Sequence, residues 1–176
     1  MASGAARLSI LGAILAGGES RRFGSDKAAA TLDGKALLDH VAAAIGPQVD
    51  NLIVVGRDWS GLRSVPDRPV PGLGPLGGLV GAFAAAQAMG HDAVLCVGCD
   101  VLGLPPDLLA RLTPGPACVE TLPVVGLWPL SLVELLATYL GEGERAVYGW
   151  ADRAQARRVA LPGLRNINRP ADLLRT

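Results

Sequence analysis

In Leu11-Gly12-Ala13-Ile14-Leu15-Ala16-Gly17-Gly18 a short apolar run breaks into two glycines, the pattern of a buried strand entering a loop. The loop continues as Glu19-Ser20-Arg21-Arg22-Phe23-Gly24-Ser25-Asp26-Lys27, so two arginines and a lysine follow the strand at once. Glycines let backbone N–H groups approach a phosphate closely, and Arg and Lys heads then neutralise its charge. The other reading is a surface loop whose basic residues are simply solvated. It is not a Walker A loop, because G-x-x-x-x-G-K-[ST] occurs nowhere in the chain.

The same alternation continues outward. Residues 28–32 read as a short extended piece closed by Asp33-Gly34. Leu37, Leu38, Val41, Ala44 and Ile45 recur at helical spacing, and Gly46-Pro47 stops that helix. A second apolar strand is predicted at 52–55, an extended stretch at 63–66, and an Ala-rich helix from the turn at 72–78 to Met89. The third strand, 93–97, ends in Gly98-Cys99-Asp100. Pro105-Pro106-Asp107 starts a short helix through Leu112. Brief strands at 117–119 and 124–127, helices at 130–140 and 145–152, a strand at 159–161 and a helix capped by Asn168-Arg169-Pro170 complete the pattern. Strand–loop–helix units imply an α/β fold with three layers: a mostly parallel central sheet between helices, ligands binding at the carboxyl ends of its strands. One domain is expected over 1–176.

Composition narrows the function classes. The 176 residues carry 16 Lys+Arg against 16 Asp+Glu, half are hydrophobic and only 4% are aromatic. Zero net charge argues against nucleic-acid or membrane-surface binding, and so few aromatics make a poor base-stacking platform. The uncharged stretch 69–90 is broken by Pro71, Pro75 and glycines and is too weak to span a bilayer. Residues 7–18 resemble a signal peptide only superficially, since basic residues follow the apolar run. Cys96, Cys99 and Cys118 cannot all pair, so a reducing, cytoplasmic setting is expected. Cys96-x-x-Cys99 lies within a buried strand rather than opening a helix, and no second Cys/His pair supports zinc. His40 and His91 have no evident Ser or Cys partner for a hydrolase.

Two further features bear on ligands. Gly72-x-Gly74-x-x-Gly77 matches a dinucleotide fingerprint formally, and Asp100 lies at a suitable distance for a ribose-binding acid. The residues before it, Pro66-Asp67-Arg68-Pro69-Val70-Pro71, cannot form the central strand that such a fingerprint follows. Asp100, at the ligand edge of the sheet, is either a carboxylate placed to hold Mg²⁺ against phosphates or a loop and helix-capping aspartate. Asp67 could face the same crevice.

The run Leu-Ala-Gly-Gly-x-Ser-Arg-Arg-Phe-Gly-x-Asp-Lys at 15–27 resembles the signature loop of nucleotidyltransferases built on a Rossmann-like domain. Asp33-Gly34-Lys35, Gly74-Pro75-Leu76-Gly77-Gly78, Cys99-Asp100, Pro123-Val124-Val125-Gly126-Leu127-Trp128 and Asn166-Ile167-Asn168-Arg169-Pro170 follow in order. Together they are most similar to the molybdenum cofactor guanylyltransferase family. The resemblance implies transfer of GMP from GTP to the phosphate of molybdopterin, with Mg²⁺ as cofactor and pyrophosphate released. In that picture residues 8–112 bind nucleotide through Leu15, Ala16, Gly17, Gly18, Lys27, Asp67, Gly77 and Asp100. Arg22, Lys27 and Asp100 are the expected catalytic residues, with Asp100 the metal ligand. Residues 113–176 form the acceptor half, with Asn166 and Asn168 on the pterin side. Other cofactor-biosynthesis proteins or acceptor molybdoenzymes are the protein partners it implies. Val101-Leu102 stand where the family has proline near the metal aspartate, 113–123 is short, and Gly56 replaces a frequent polar residue. Those departures leave open a CTP-dependent relative, beside a non-catalytic nucleotide-binding adaptor.

Overall fold

The computed structural model describes residues 7–18 and 26–174. Strand β1 (Ile10–Leu15) is followed by a hairpin of β2 (Thr31–Leu32) and β3 (Lys35–Ala36). Asp33 and Gly34, at φ 52° and 75°, form its two-residue turn, as the Asp-Gly pair predicts. Helix α1 (Leu37–Ile45), β4 (Asn51–Val55), β5 (Arg63–Val65) and α2 (Pro75–Met89) come next, then β6 (Ala93–Gly98) and the short β7 (Val101–Leu102). The second half holds α3 (Leu108–Leu112), β8 (Ala117–Val119), β9 (Leu122–Pro129), α4 (Val133–Gly141), α5 (Val147–Arg153), β10 (Arg157–Val159) and β11 (Arg165–Asn166).

Seven strands make one sheet in the order β10-β8-β9-β6-β1-β4-β5. Pairs β1–β4, β1–β6, β4–β5 and β8–β10 are parallel, and β9 runs antiparallel to both β6 and β8. Side chains alternate across the pleat and so build two cores. Leu11, Ala13, Ile53 and Val94 pack with α2, Trp128 and Trp150 on one face. Ile10, Ile14, Val54 and Leu95 pack with Leu38, Val41 and Leu108 on the other. Helix α2 lies close against the sheet because Gly81 carries no Cβ; one there would come within 2.4 Å of the Pro66 carbonyl oxygen.

The sequence expectations need adjustment in the second half. The 124–127 strand extends to Leu122–Pro129, and the 130–140 helix divides into a 3₁₀ turn at Leu130–Leu132 and α4. The last sheet strand is Arg157–Val159 rather than 159–161, an edge strand whose two arginines hide its pattern. The terminal helix is a single 3₁₀ stretch, Pro170–Leu174, with the Asp172 carboxylate accepting the Asn168 and Arg169 N–H groups at 2.9 Å each. Among the described residues no helix is long and apolar enough to cross a membrane.

Candidate functional site

The carboxyl ends of β1, β4 and β6 meet around a cleft of about 980 Å³. Backbone bonds hold the loops that leave them: the Ala16 N–H donates to the Val55 carbonyl, Cys99 N–H to Leu15, and Gly56 N–H to Val65. Gly56 has φ 91°, and a Cβ on it would lie 2.4 Å from the Gly17 Cα, so these two loops touch through backbone alone. A Cβ on Gly17 would in turn meet the Asp67 carboxylate at 2.5 Å. Leu15, Ala16, Gly17 and Gly18 therefore line the cleft floor with Asp67 beside them. Burial pushes the Asp67 carboxyl above the usual range, and no donor among the described residues offsets it.

Lys27 and Asp100 meet inside the cleft, with Nζ 2.5 Å from Oδ2 and side chains only 17% and 19% exposed. The same ammonium donates to Asn168 Oδ1 at 3.3 Å. The C-terminal segment reaches this point because β11 pairs antiparallel with β7, Asn166 opposite Val101 and Arg165 opposite Leu102. The Ile167 N–H also donates to the Asp100 carbonyl oxygen at 2.9 Å. Val101-Leu102, where the family resemblance expects proline nearby, thus forms the rail on which Asn166 and Asn168 are carried. Asn166 lines the cleft, and its Oδ1 is buried with no hydrogen-bond partner.

Of the residues expected from sequence, Leu15, Ala16, Gly17, Gly18, Lys27, Asp67, Asp100, Asn166 and Asn168 share this cleft. Arg22 lies outside the described residues. Gly77 is placed behind the wall rather than on it: its N–H bonds to Gly74, its carbonyl accepts the Arg68 N–H, and Gly78 lines the cleft. Arg57, which no sequence pattern singles out, also lines the cleft and forms a two-pronged ion pair with Asp26. Its one local signal is a basic residue set directly after a strand and a glycine.

No group of three or more His, Cys, Asp or Glu able to cage a metal occurs among the described residues, Cys96 and Cys99 included. Both thiols are pushed up to about 12 by burial, which keeps them from being thiolate nucleophiles. His40 bonds the Leu32 carbonyl, whereas His91, for which the sequence shows no Ser partner, meets Ser9 Oγ at 2.8 Å because the fold brings residues 82 positions apart together; neither Ser9 nor His91 lines the cleft. Among the described residues the cleft therefore offers ammonium and carboxylate groups with backbone N–H donors. Such groups can hold an anionic ligand and stabilise charge on it.

Comparison with known proteins agrees with that chemistry. Residues 12–157 match the MobA-like NTP transferase domain. Proteins named molybdenum cofactor guanylyltransferase are similar along nearly their whole length: 37% identity in Cereibacter sphaeroides, covering 94% of each chain, and 35% in Acidiphilium cryptum, covering 91% of this chain and 90% of that protein. In fold the chain resembles molybdopterin-guanine dinucleotide biosynthesis protein A from Archaeoglobus fulgidus, with a TM-score of 0.72 at 21% identity over 94% of this chain and 95% of that one. A nucleotidyl transferase from Methanothermobacter thermautotroptrophicus gives 0.70 at 22% identity, covering 95% of both chains.

Proposed function

This chain belongs to the MobA-like NTP transferase family, and on that premise we propose that it transfers GMP from GTP to the terminal phosphate of molybdopterin or its molybdenum-loaded form. A phosphate oxygen of the pterin attacks the α-phosphorus of GTP. The bond from that phosphorus to the oxygen bridging to the β-phosphate breaks, and pyrophosphate leaves as the guanine dinucleotide forms. The observation that carries the proposal is the meeting of Lys27, Asp100 and Asn168 at one point in the cleft, where nucleotide and acceptor sides adjoin.

Residues 8–112 supply the nucleotide side in this scheme and 113–176 the acceptor side. The backbone of 15–18 contacts the nucleotide, and Lys27, with Arg22, stabilises charge on the triphosphate and the departing pyrophosphate. The half-buried Asp67 carboxylate, short of donors, suits the N–H groups on guanine's pairing edge. Asn166, with its unpartnered Oδ1, and Asn168 hold the acceptor. Asp100 fits Mg²⁺: a single carboxylate at a strand end, without a protein cage, suits an ion that completes its shell with water and phosphate oxygens. Bound there, Mg²⁺ supplies neutralisation of the phosphate oxygens.

We place the reaction in the cytoplasm, where three free thiols persist, with delivery to acceptor molybdoenzymes or other cofactor-biosynthesis proteins. A cytidine-specific reading keeps one point of support, because no side chain fits at Gly56 beside the floor. Titration calorimetry with GTP, CTP, ATP and NAD, each with and without Mg²⁺, separates these. Selective GTP binding that tightens with Mg²⁺ is expected. Preference for CTP moves the protein to a cytidylyltransferase, and NAD binding without any triphosphate overturns the proposal.

A further inference from the structure

Lysine has four side-chain torsions, so an ammonium is placed accurately only if its backbone is fixed. Lys27 follows Asp26, and Asp26 is held from two sides. Its Oδ1 accepts the Ala28 N–H at 3.2 Å, and both its oxygens take the two terminal nitrogens of Arg57. Arg57 is itself oriented: its guanidinium lies over the Trp59 ring, 5.5 Å from the centroid. Trp59 is fixed by its indole N–H donating to Asp39 on α1 at 2.8 Å and by its backbone N–H donating to Ser64 on β5 at 3.2 Å. A continuous chain of contacts thus runs from α1 and β5 through Trp59, Arg57 and Asp26 to the backbone of Lys27.

We propose that Arg57 is a positioning residue for nucleotidyl transfer, acting through Asp26 to fix the place of the Lys27 ammonium in the cleft. This rests on the reaction assigned to Lys27 above. The pairing also holds the Asp26 carboxyl below the usual carboxylate range, so Asp26 is an anion throughout the neutral range. Gly56 explains why the task falls to residue 57: it is the first position after β4 with room for a side chain, since a Cβ on Gly56 would strike Gly17. The two-pronged geometry matters because a lysine at 57 keeps the charge and loses the fork.

The test compares R57A, R57K, D26N and the double variant R57A/D26N by steady-state transfer from GTP, by melting temperature, and by the acylation rate of Lys27 read by mass spectrometry. Lys35, the chain's other lysine, is the exposed internal reference. R57A and D26N are expected to lower kcat about tenfold each, the scale of a modest misplacement, with KM for GTP moving less than twofold. R57K should lose as much as R57A. The double variant should be no worse than either single one, because both break one contact. Lys27 acylation should rise equally in all four, with melting temperatures close to wild type. Wild-type kcat in R57K, multiplicative losses in the double variant, or a rise in KM with kcat unchanged each overturns the positioning role. If the wild-type chain transfers no nucleotide, the assigned reaction fails, and Lys27 acylation alone still decides whether Arg57 fixes it.

Discussion

The two ends of the same central strands are finished in opposite ways. At their amino ends Asp92 accepts the Ser9 N–H at 2.8 Å and Asp50 accepts the Ile10 N–H at 2.7 Å. Backbone N–H groups of those two aspartates donate back to Ser9 and Ile10, and Ser9 Oγ meets His91 Nδ1 at 2.8 Å. Carboxylates there close the fold by answering nearby donors. At the carboxyl ends Asp67 is crowded by glycines and lacks a donor among the described residues, and Asn166 Oδ1 is buried unpaired. A buried polar group without a partner is unfavourable for folding, and each end holds one, His91 Nε2 and Asn166 Oδ1. Only at the carboxyl end does it line a cleft beside a carboxylate short of donors, and that combination marks where a ligand completes the bonding.

That contrast can be broken at several points. The largest effect is expected from Asp100→Ala, which should abolish metal-dependent transfer while the melting temperature stays close to wild type; wild-type turnover would remove Asp100 from the chemistry. Lys27→Ala should slow transfer by roughly 10²–10³, the scale for deleting one charge-stabilising group, and an unchanged rate would mean that the loop at 15–27 is misread.

Asp67→Asn should act on function and stability in opposite directions. Its folded carboxyl titrates above the ordinary value, so its stabilising contribution is present at acid pH and lost as pH rises through the folded value. At pH 7 the ionised group therefore weighs against the fold. The amide should raise the melting temperature at pH 7 and give no gain near pH 3, while GTP binding weakens about tenfold. Melting curves at the two pH values decide this, and a lower melting temperature at pH 7 would contradict it. The smallest effect is expected at the closed end: Asp92→Ala should lower unfolding free energy by about 1 kcal/mol in urea titrations and leave kcat unchanged. A rate loss there would mean that the two ends are coupled.

Much of the cleft was legible because its parts lie in local patterns. The apolar runs of β1, β4 and β6 have to be buried strands, and glycine pairs after such a strand announce a backbone-lined loop. The pairing of β11 with β7 was not legible, since two-residue strands carry no period, and neither was the antiparallel direction of β9. Between Gly77 and Gly78 the sequence offers no choice; the pitch of α2 turns one glycine to the cleft and the other to Leu73 and Arg68. Arg57 and Asp26 are 31 positions apart, and no spacing rule connects an arginine after β4 with the residue before a signature lysine.

The contact between Gly17 and Gly56 has one more consequence. Where side chains line a floor, they relax to new rotamers when a charged ligand arrives or reacts, and that relaxation adds to the barrier. Here the floor between β1 and β4 is peptide on peptide, its dipoles already fixed by the Val55 and Val65 carbonyl bonds. It cannot reorient appreciably as charge builds on the phosphates, so its reorganisation energy is low before any substrate enters.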